Sequence, residues 1–305
     1  MPSGVALGLV TAASWGGADF FARFATRSVG TPRALLGMQA WGAVFVTLLL
    51  FFARDWGHLL DGSGWQPWAW GALAGVVNTA AMFALYRAFE IGKMAVVAPI
   101  SASYPALTVI LSMFSGEKLS SYRAVGILAA VVGAILVAAG EKSVQAPVPS
   151  AGTSPLPASA LPSPGSGSAV GILWALAAAL GFGILFWLLG LRIIPRTGAL
   201  ATVWLIRVTG AVLTLCVVLA KKIPLRIASK RTRAQLYSMG FFDTAAFALS
   251  NLGMRIEQVS ILSVLGSLYG AVTVALAAIF LRERIAALQW LGIVAIFLGV
   301  ALMNA

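Results

Sequence analysis

The chain is short of the residues that acid–base, redox and metal chemistry need. Its 305 residues hold one Cys, one His and nine Asp plus Glu. Cys216 lies in an apolar run, so an intramolecular disulfide is excluded, and dithiol redox chemistry and cysteine metal clusters have no ligands to work with. A buried filler thiol accounts for it. His58 falls in a loop between apolar stretches. Neither H-E-x-x-H nor G-x-S-x-G occurs, and Gly92-Lys93 lacks the earlier glycine and the following hydroxyl of a Walker phosphate loop. These absences argue against an intramembrane enzyme, against direct ATP coupling within this chain and against any bound cofactor or metal.

Charge is scarce as well. Charged residues make up 10% of the chain and hydrophobic ones 60%, with a mean hydropathy of +0.94. A soluble domain of this size could not present such a composition to water, so the chain belongs in a lipid bilayer. The formal net charge of +12 comes from short basic runs between apolar stretches, not from one polar element or an RNA-binding motif. Nucleic acid is therefore not an expected partner, and the basic residues read as orienting signals.

Ten apolar stretches of about 20 residues match a hydrocarbon core of about 30 Å at about 1.5 Å rise per residue. They lie near 4–22, 34–53, 67–89, 94–115, 122–140, 169–190, 198–220, 235–254, 259–281 and 286–304. No Lys or Arg precedes the first, and Arg23, Arg27 and Arg33 follow it, so it reads as a retained helix rather than a secretory signal. Trp56, Trp65, Trp68 and Trp70 mark a water interface. Residues 141–168 are rich in Pro, Ser, Gly and Ala and read as a disordered linker; its glycines match no nucleotide-binding loop, because the third comes one place late and no strand precedes it.

The stretches repeat. Asn78-Thr79-Ala80-Ala81-Met82-Phe83-Ala84-Leu85 answers Asp243-Thr244-Ala245-Ala246-Phe247-Ala248-Leu249, Gly42-Ala43-Val44 answers Gly210-Ala211-Val212, Gly126-Ile127 answers Gly292-Ile293, and Trp15-Gly16 answers Phe182-Gly183. An odd number of helices per repeat makes the second half enter the membrane from the opposite side. The expected fold is an all-α integral membrane protein of ten transmembrane helices, built as two inverted five-helix repeats at 1–140 and 169–305 joined by the 141–168 linker.

Ser103-Tyr104-Pro105 with Gly116-Glu117-Lys118-Leu119, and Leu268-Tyr269-Gly270 with Arg282-Glu283-Arg284-Ile285 and Gln289-Trp290-Leu291-Gly292, resemble the fourth-to-fifth helix signature of the EamA domain. Gly270 and Arg282 depart from it where Pro and Gly are common. Two such domains in ten helices resemble the drug/metabolite transporter superfamily. The resemblance implies secondary transport of a small metabolite by alternating access, frequently as export.

The polar residues supply a candidate site independently of that resemblance. An ionisable group near the bilayer centre costs at least about 2.5 to 3.5 kcal/mol, so Arg207 and Asp243 should face the interior, at depths of about 21 and 15 Å from the basic connection at 221–233. Gln39 and Asn78 stand in their places in the first half. The pair reads either as a structural link between two helices or as a site where Arg207 meets an anionic group and Asp243 orients it or takes a proton. Tyr104 and Tyr269, equivalent to each other, suit either packing or the wall of a cavity for a partly apolar solute, and Trp15 is a weaker companion. Asp19 reads first as a local partner of Arg23 and second as a coupling carboxylate. Glu90 and Glu257 fall at helix ends, and Gly4 with Gly8, Gly71 with Gly75 and Gly266 with Gly270 have the spacing of close helix contacts.

The expected partners are thus the bilayer, a small-molecule substrate such as an amino acid or related amphipathic compound, and a proton or counter-solute. The expected location is the plasma (inner) membrane of a prokaryote. A lipid translocase or a non-transporting scaffold is the alternative, and oligomeric state is not legible. Fourteen Lys and Arg fall on the face carrying connections 1–2, 3–4, 5–6, 7–8 and 9–10, against six on the other. The positive-inside rule makes this basic face cytoplasmic and places both termini outside. A C-terminal reporter that works only in the cytoplasm should therefore stay silent; activity there would reverse the orientation.

Overall fold

The computed structural model describes residues 4–91, 100–140, 166–227, 229–272, 276 and 287–303. The described chain is helical: α1 Gly4–Val29, α2 Thr31–Ala53, α3 Gln66–Ile91, α4 Tyr104–Phe114, α5 Ser121–Gly140, α6 Ser166–Leu188, α7 Ala199–Ala220, α8 Lys230–Gly253, α9 Val259–Ser267 and α10 Ala287–Met303. Among the described residues, five apolar spans are long enough to cross a bilayer, at Gly4–Thr26, Thr31–Ala53, Gln66–Ala88, Val170–Thr197 and Ala199–Ala220. Shorter apolar helices cover Tyr104–Phe114, Ser121–Gly133, Val259–Val272 and Trp290–Gly299. The protein is a multi-pass, all-helical membrane protein.

Several boundaries move from their sequence positions for physical reasons. α1 runs to Val29, so Arg23 and Arg27 fall within the helix, and Gly30 alone separates it from α2. Gly30 has φ 79° and ψ 158°, a region in which a Cβ clashes and only glycine is comfortable. Gly198, between α6 and α7, repeats that geometry at φ 95° and ψ 152°. Residues 166–168, assigned to the linker by composition, form the first turn of α6, while 141–165 lie outside the described residues. So do the whole 9–10 connection, including Arg282 and Glu283, and residues 94–99 of the fourth stretch. α6 continues through a π turn at Leu189–Ile193 and a last α turn at Ile194–Thr197. Pro195 has no N–H for the carbonyl four residues back, and widening the preceding turn absorbs that loss. α8 is of spanning length but too polar to rank with the apolar spans, because it carries Lys230, Arg231, Arg233 and Asp243; Ser229 caps it by accepting the Thr232 N–H at 3.2 Å.

The surface is inverted relative to a soluble protein. Phe51, Phe52, Phe114, Leu128, Leu173 and Phe297 are well exposed, as lipid-facing residues should be, and Trp65 stands exposed at the helix end where an interfacial ring belongs. Cys216, expected from its apolar run to be a buried filler, is instead on the exposed side of α7, because an apolar run in a bilayer has a lipid-facing side as well as a packed one. Inside, α1 packs on α8 and α9, α3 on α6 and α7, α2 on α7 and α8, α4 on α6, and α5 on α10. Lipid offers no hydrophobic drive between helices, so close approach comes from small residues. The contacts recur in pairs. A Cβ on Gly16 would meet Val272 and lie 3.2 Å from the Tyr269 carbonyl; one on Gly183 would meet Leu107 and lie 3.0 Å from the Tyr104 carbonyl. Gly71 faces Leu205 and Gly37 faces Leu236; Gly75 faces Thr209 and Gly240 faces Trp41. Valine at Gly16 or at Gly183 should therefore cost a similar amount, about 1 to 3 kcal/mol of overpacking. The apparent unfolding temperature of each variant in detergent checks this; a loss at only one of the two would break the equivalence.

Candidate functional site

Arg207 on α7 is wholly buried near the middle of its helix. A guanidinium is never neutral in a protein, so partners must come to it. Its Nη2 forms an ion pair with Asp243 Oδ2 of α8, and its Nη1 donates to Gln39 Oε1 of α2 at 3.0 Å. The ion-pair contact lacks the alignment of a hydrogen bond, and Arg207 Nε and Gln39 Nε2 have no hydrogen-bond partner among the described residues. The guanidinium carbon sits 4.9 Å from the centroid of the Phe247 ring, one turn beyond Asp243 on α8. A desolvated cation over an aromatic face gains up to about 2 kcal/mol.

Two glycines make the room. A Cβ on Gly42 of α2 would press on Arg207 Cδ at 2.9 Å, and one on Gly210 of α7 would press on Gln39 Cδ at 2.7 Å. The two helices thus cross with each polar side chain lying over the other's glycine.

Phe247 leads into an aromatic cluster. Trp15 of α1 meets it edge-on with centroids 5.3 Å apart, and Phe186 of α6 meets Trp15 at 5.6 Å and Tyr104 at 5.0 Å. The Tyr104 hydroxyl donates to the Ser263 carbonyl on α9 at 3.0 Å. Four of the six residues expected from the sequence, Trp15, Tyr104, Arg207 and Asp243, are thereby joined in one chain of contacts. Tyr269 is half-buried at the edge of the same cluster and shares a hydrogen bond with Ser101. Asn78 on α3 stands between the Gly75 and Ala81 contacts, wholly buried, with neither amide atom hydrogen-bonded among the described residues. Nothing in the described contacts joins it to Arg207.

The side chain of Arg23 lies outside the described residues, and the carboxyl of Asp19 is within electrostatic reach of Asp243. The antiparallel register agrees, since Trp15 meets Phe247 and Phe21 stacks on Phe242. Gln39, Phe186 and Phe247 were missing from the sequence-derived set. Their signals were present: Gln39 is the repeat partner of Arg207, and Phe247 follows Asp243 by one helical turn, on the same face.

The site is closed in this conformation. A cavity of about 490 Å³ opens instead between the α2–α3 loop and the ends of α6 and α8, lined by Asp55, His58, Asp61, Pro195, Met254 and Arg255 among others, and by none of the six expected residues. Asp61, in that loop, is held down at about 2 by the Ser63 hydroxyl, then by His58 and the Ser63 backbone N–H. It stays anionic at any ordinary pH.

The EamA-like transporter family is matched twice, by residues 2–139 and 169–305. A solved protein crystal structure superposes with a TM-score of 0.74 at 18% identity, over 98% of this chain and 94% of that one, a likeness of fold. No curated protein matches the chain.

Arg207 and Asp243 should be energetically coupled. Removing one partner strands a buried charge at about 3 to 5 kcal/mol, whereas Arg207→Gln with Asp243→Asn installs the neutral side chains that the first half carries at the equivalent positions 39 and 78 and should cost less than the two singles together. Unfolding of the two singles and the double in detergent measures this, and strict additivity would mean that the contact carries no energy.

Proposed function

Because this chain belongs to the EamA-like transporter family, whose members are transporters and not enzymes, we propose that it is a secondary transporter moving a small amphipathic metabolite by alternating access. The solute class we propose is an amino acid or a related compound with an anionic or zwitterionic group, and the direction is export. The observation that carries this reading is the buried Arg207 beside an aromatic cluster: a cation to meet an acidic group and, next to it, a wall for an apolar part. The lining is proposed to be Trp15, Asn78, Tyr104, Arg207, Asp243 and Tyr269.

Ten spans in two inverted five-helix repeats are part of the proposal. Its support is the reciprocity of the contacts. Gly16 over Tyr269 answers Gly183 over Tyr104, Gly42 under Arg207 answers Gly210 under Gln39, and Gly30 answers Gly198 in backbone angles. Each pairing is what a two-fold axis between the halves requires. The hydrogen bond from Arg207 to Gln39 joins equivalent positions, so it lies next to that axis. A site on the axis is the one place that both halves can close over in turn.

The closed cluster then corresponds to an occluded conformation, in which Trp15, Phe186 and Phe247 fill the space that a solute's apolar part would take. Solute binding would exchange part of the Arg207 to Asp243 attraction for a contact with the solute, leaving Asp243 to orient a cationic group or to accept a proton. Thermal-shift screening of the purified protein against metabolite classes finds the ligand, since a solute bound only by the native state raises apparent stability. With that solute in proteoliposomes, Tyr104→Phe and Tyr269→Ala should lower flux while leaving protein levels near normal. Arg207→Gln should impair anionic solutes more than neutral ones. Unchanged flux in both tyrosine variants would move the site elsewhere, and lipid scrambling without solute flux would favour a lipid translocase.

A further inference from the structure

One end of the molecule is fastened between the two halves by side chains. On the face opposite the basic one, the α4–α5 connection is tied to the α8–α9 connection by polar contacts. Arg123 Nη1 lies 3.1 Å from Glu257 Oε1 and 3.1 Å from Gln258 Oε1. Gln258 Nε2 donates to the Lys118 carbonyl at 2.8 Å. Glu117 Oε1 accepts the Ser260 hydroxyl and lies 3.4 Å from the Ser260 N–H. Ser260 is in the first turn of α9, so a carboxylate from the first half caps a helix of the second, where the helix dipole favours negative charge. Gly4 at the start of α1 leaves room for the Glu257 side chain.

The equivalent sequence positions at the other end are occupied differently. The repeat offset that maps Tyr104 onto Tyr269 puts Gly92 in the place of Glu257 and Ala95 in the place of Ser260, and the α5–α10 offset puts Gln289 in the place of Arg123. Only Glu283 retains the carboxylate of Glu117. Lys93 takes the place of Gln258, so the basic face carries its charges in a different arrangement.

We propose that Arg123 with Glu257, and Glu117 with Ser260, form a latch that closes the face opposite the basic one and sets the resting state of the carrier. Both contacts cross between the halves and so must break for that face to open. The latch adds to the stability of that closed end, so it weights the equilibrium between the two access states toward the form in which that end is shut. With the charge count making the latched face external, a carrier at rest is closed outward and takes up its solute from the cytoplasmic side. Charged residues fit this task better than an apolar seal, because once separated they are rewetted instead of being left as exposed apolar surface.

The inference rests on the alternating-access reading, and the test separates the two. In a Cys216→Ala background in nanodiscs, where both faces meet solvent, one reporter is Ser263→Cys, one turn inside the latch, and the other is Ala34→Cys, in the apolar cluster toward the basic face. Each is labelled with a water-soluble maleimide. Arg123→Gln and Glu117→Gln should each speed labelling at 263 roughly tenfold and slow it at 34, a shift set by the changed balance of two states. Arg123→Lys, which keeps the ion pair, should stay near the parent rate. No change at 263 in either variant overturns the latch, as does acceleration at both reporters together, which marks loosening of the fold. Solute flux that persists in variants with unmoved labelling would remove the latch and leave the transport reading standing.

Discussion

A guanidinium buried in the middle of a membrane protein dictates much of what surrounds it. Arg207 has no exposed surface, cannot shed its charge and cannot reach water at either interface without leaving its place. Its charge is answered by Asp243, a hydrogen bond by Gln39 and its flat face by Phe247. Those partners come from α2 and α8, so the ion draws three helices to one point. Room for the side chain exists only because position 42 has no Cβ, and room for Gln39 only because position 210 has none. Polar requirement and small-residue packing are here one constraint.

The asymmetry of charge between otherwise equivalent positions also has a consequence for mechanism. Gln39 and Asn78 are neutral where Arg207 and Asp243 are ionised, so a scaffold with equivalent helix contacts carries an inequivalent polar lining. A neutral Gln can give and take hydrogen bonds in either state, whereas the ion pair is strong only while its geometry holds. In the proposed carrier the second half thus provides the group that senses an anionic solute, and the first half provides a partner that can follow it through the cycle. A pair of ion pairs, one in each half, would have bound the solute's charged groups twice over and released them slowly.

Much of the fold was legible because membrane burial leaves strong traces: apolar length, basic runs at connections and a repeat visible in short identical words. The pairing of Arg207 with Asp243 followed from the cost of a lone charge in lipid, and depth along each helix was enough to bring the two within reach. Gly30 and Gly198 were not read as equivalent, because their flanking residues differ and only the backbone angles reveal the match. Phe186 was invisible for another reason. Its repeat partner is Asp19, so the symmetry that exposed the polar residues gave no hint of an aromatic one, and phenylalanines are common enough in a bilayer that one more carries no signal. The Tyr104 hydroxyl finds a backbone carbonyl 159 residues away, a partner that no local pattern encodes.

In the proposed carrier, the packing on either side of the polar layer is what has to move. Toward the basic face lies an apolar cluster of Ala25, Leu35, Met38, Leu85 and Met239; toward the other face Leu50, Leu189, Ile193, Met254 and Val259 fill the space. Each is a dry barrier that a hydrated solute cannot cross while it is closed. Protein interiors deform in discrete steps rather than continuously, so opening one barrier means sliding or tilting whole helices past their glycine contacts. The π turn at Leu189–Ile193 sits within the second barrier, in a helix whose regular hydrogen bonding Pro195 has already interrupted. A helix that has given up part of its backbone ladder can change angle there at a lower cost than an intact one. Its counterpart in the first half, the end of α1 before Gly30, has no proline and no such turn. The two barriers are therefore mechanically unequal, and the end with the weaker helix is also the end that carries the polar fastening. A joint that bends easily needs something to hold it shut, which is a physical reason for the polar contacts found at that end.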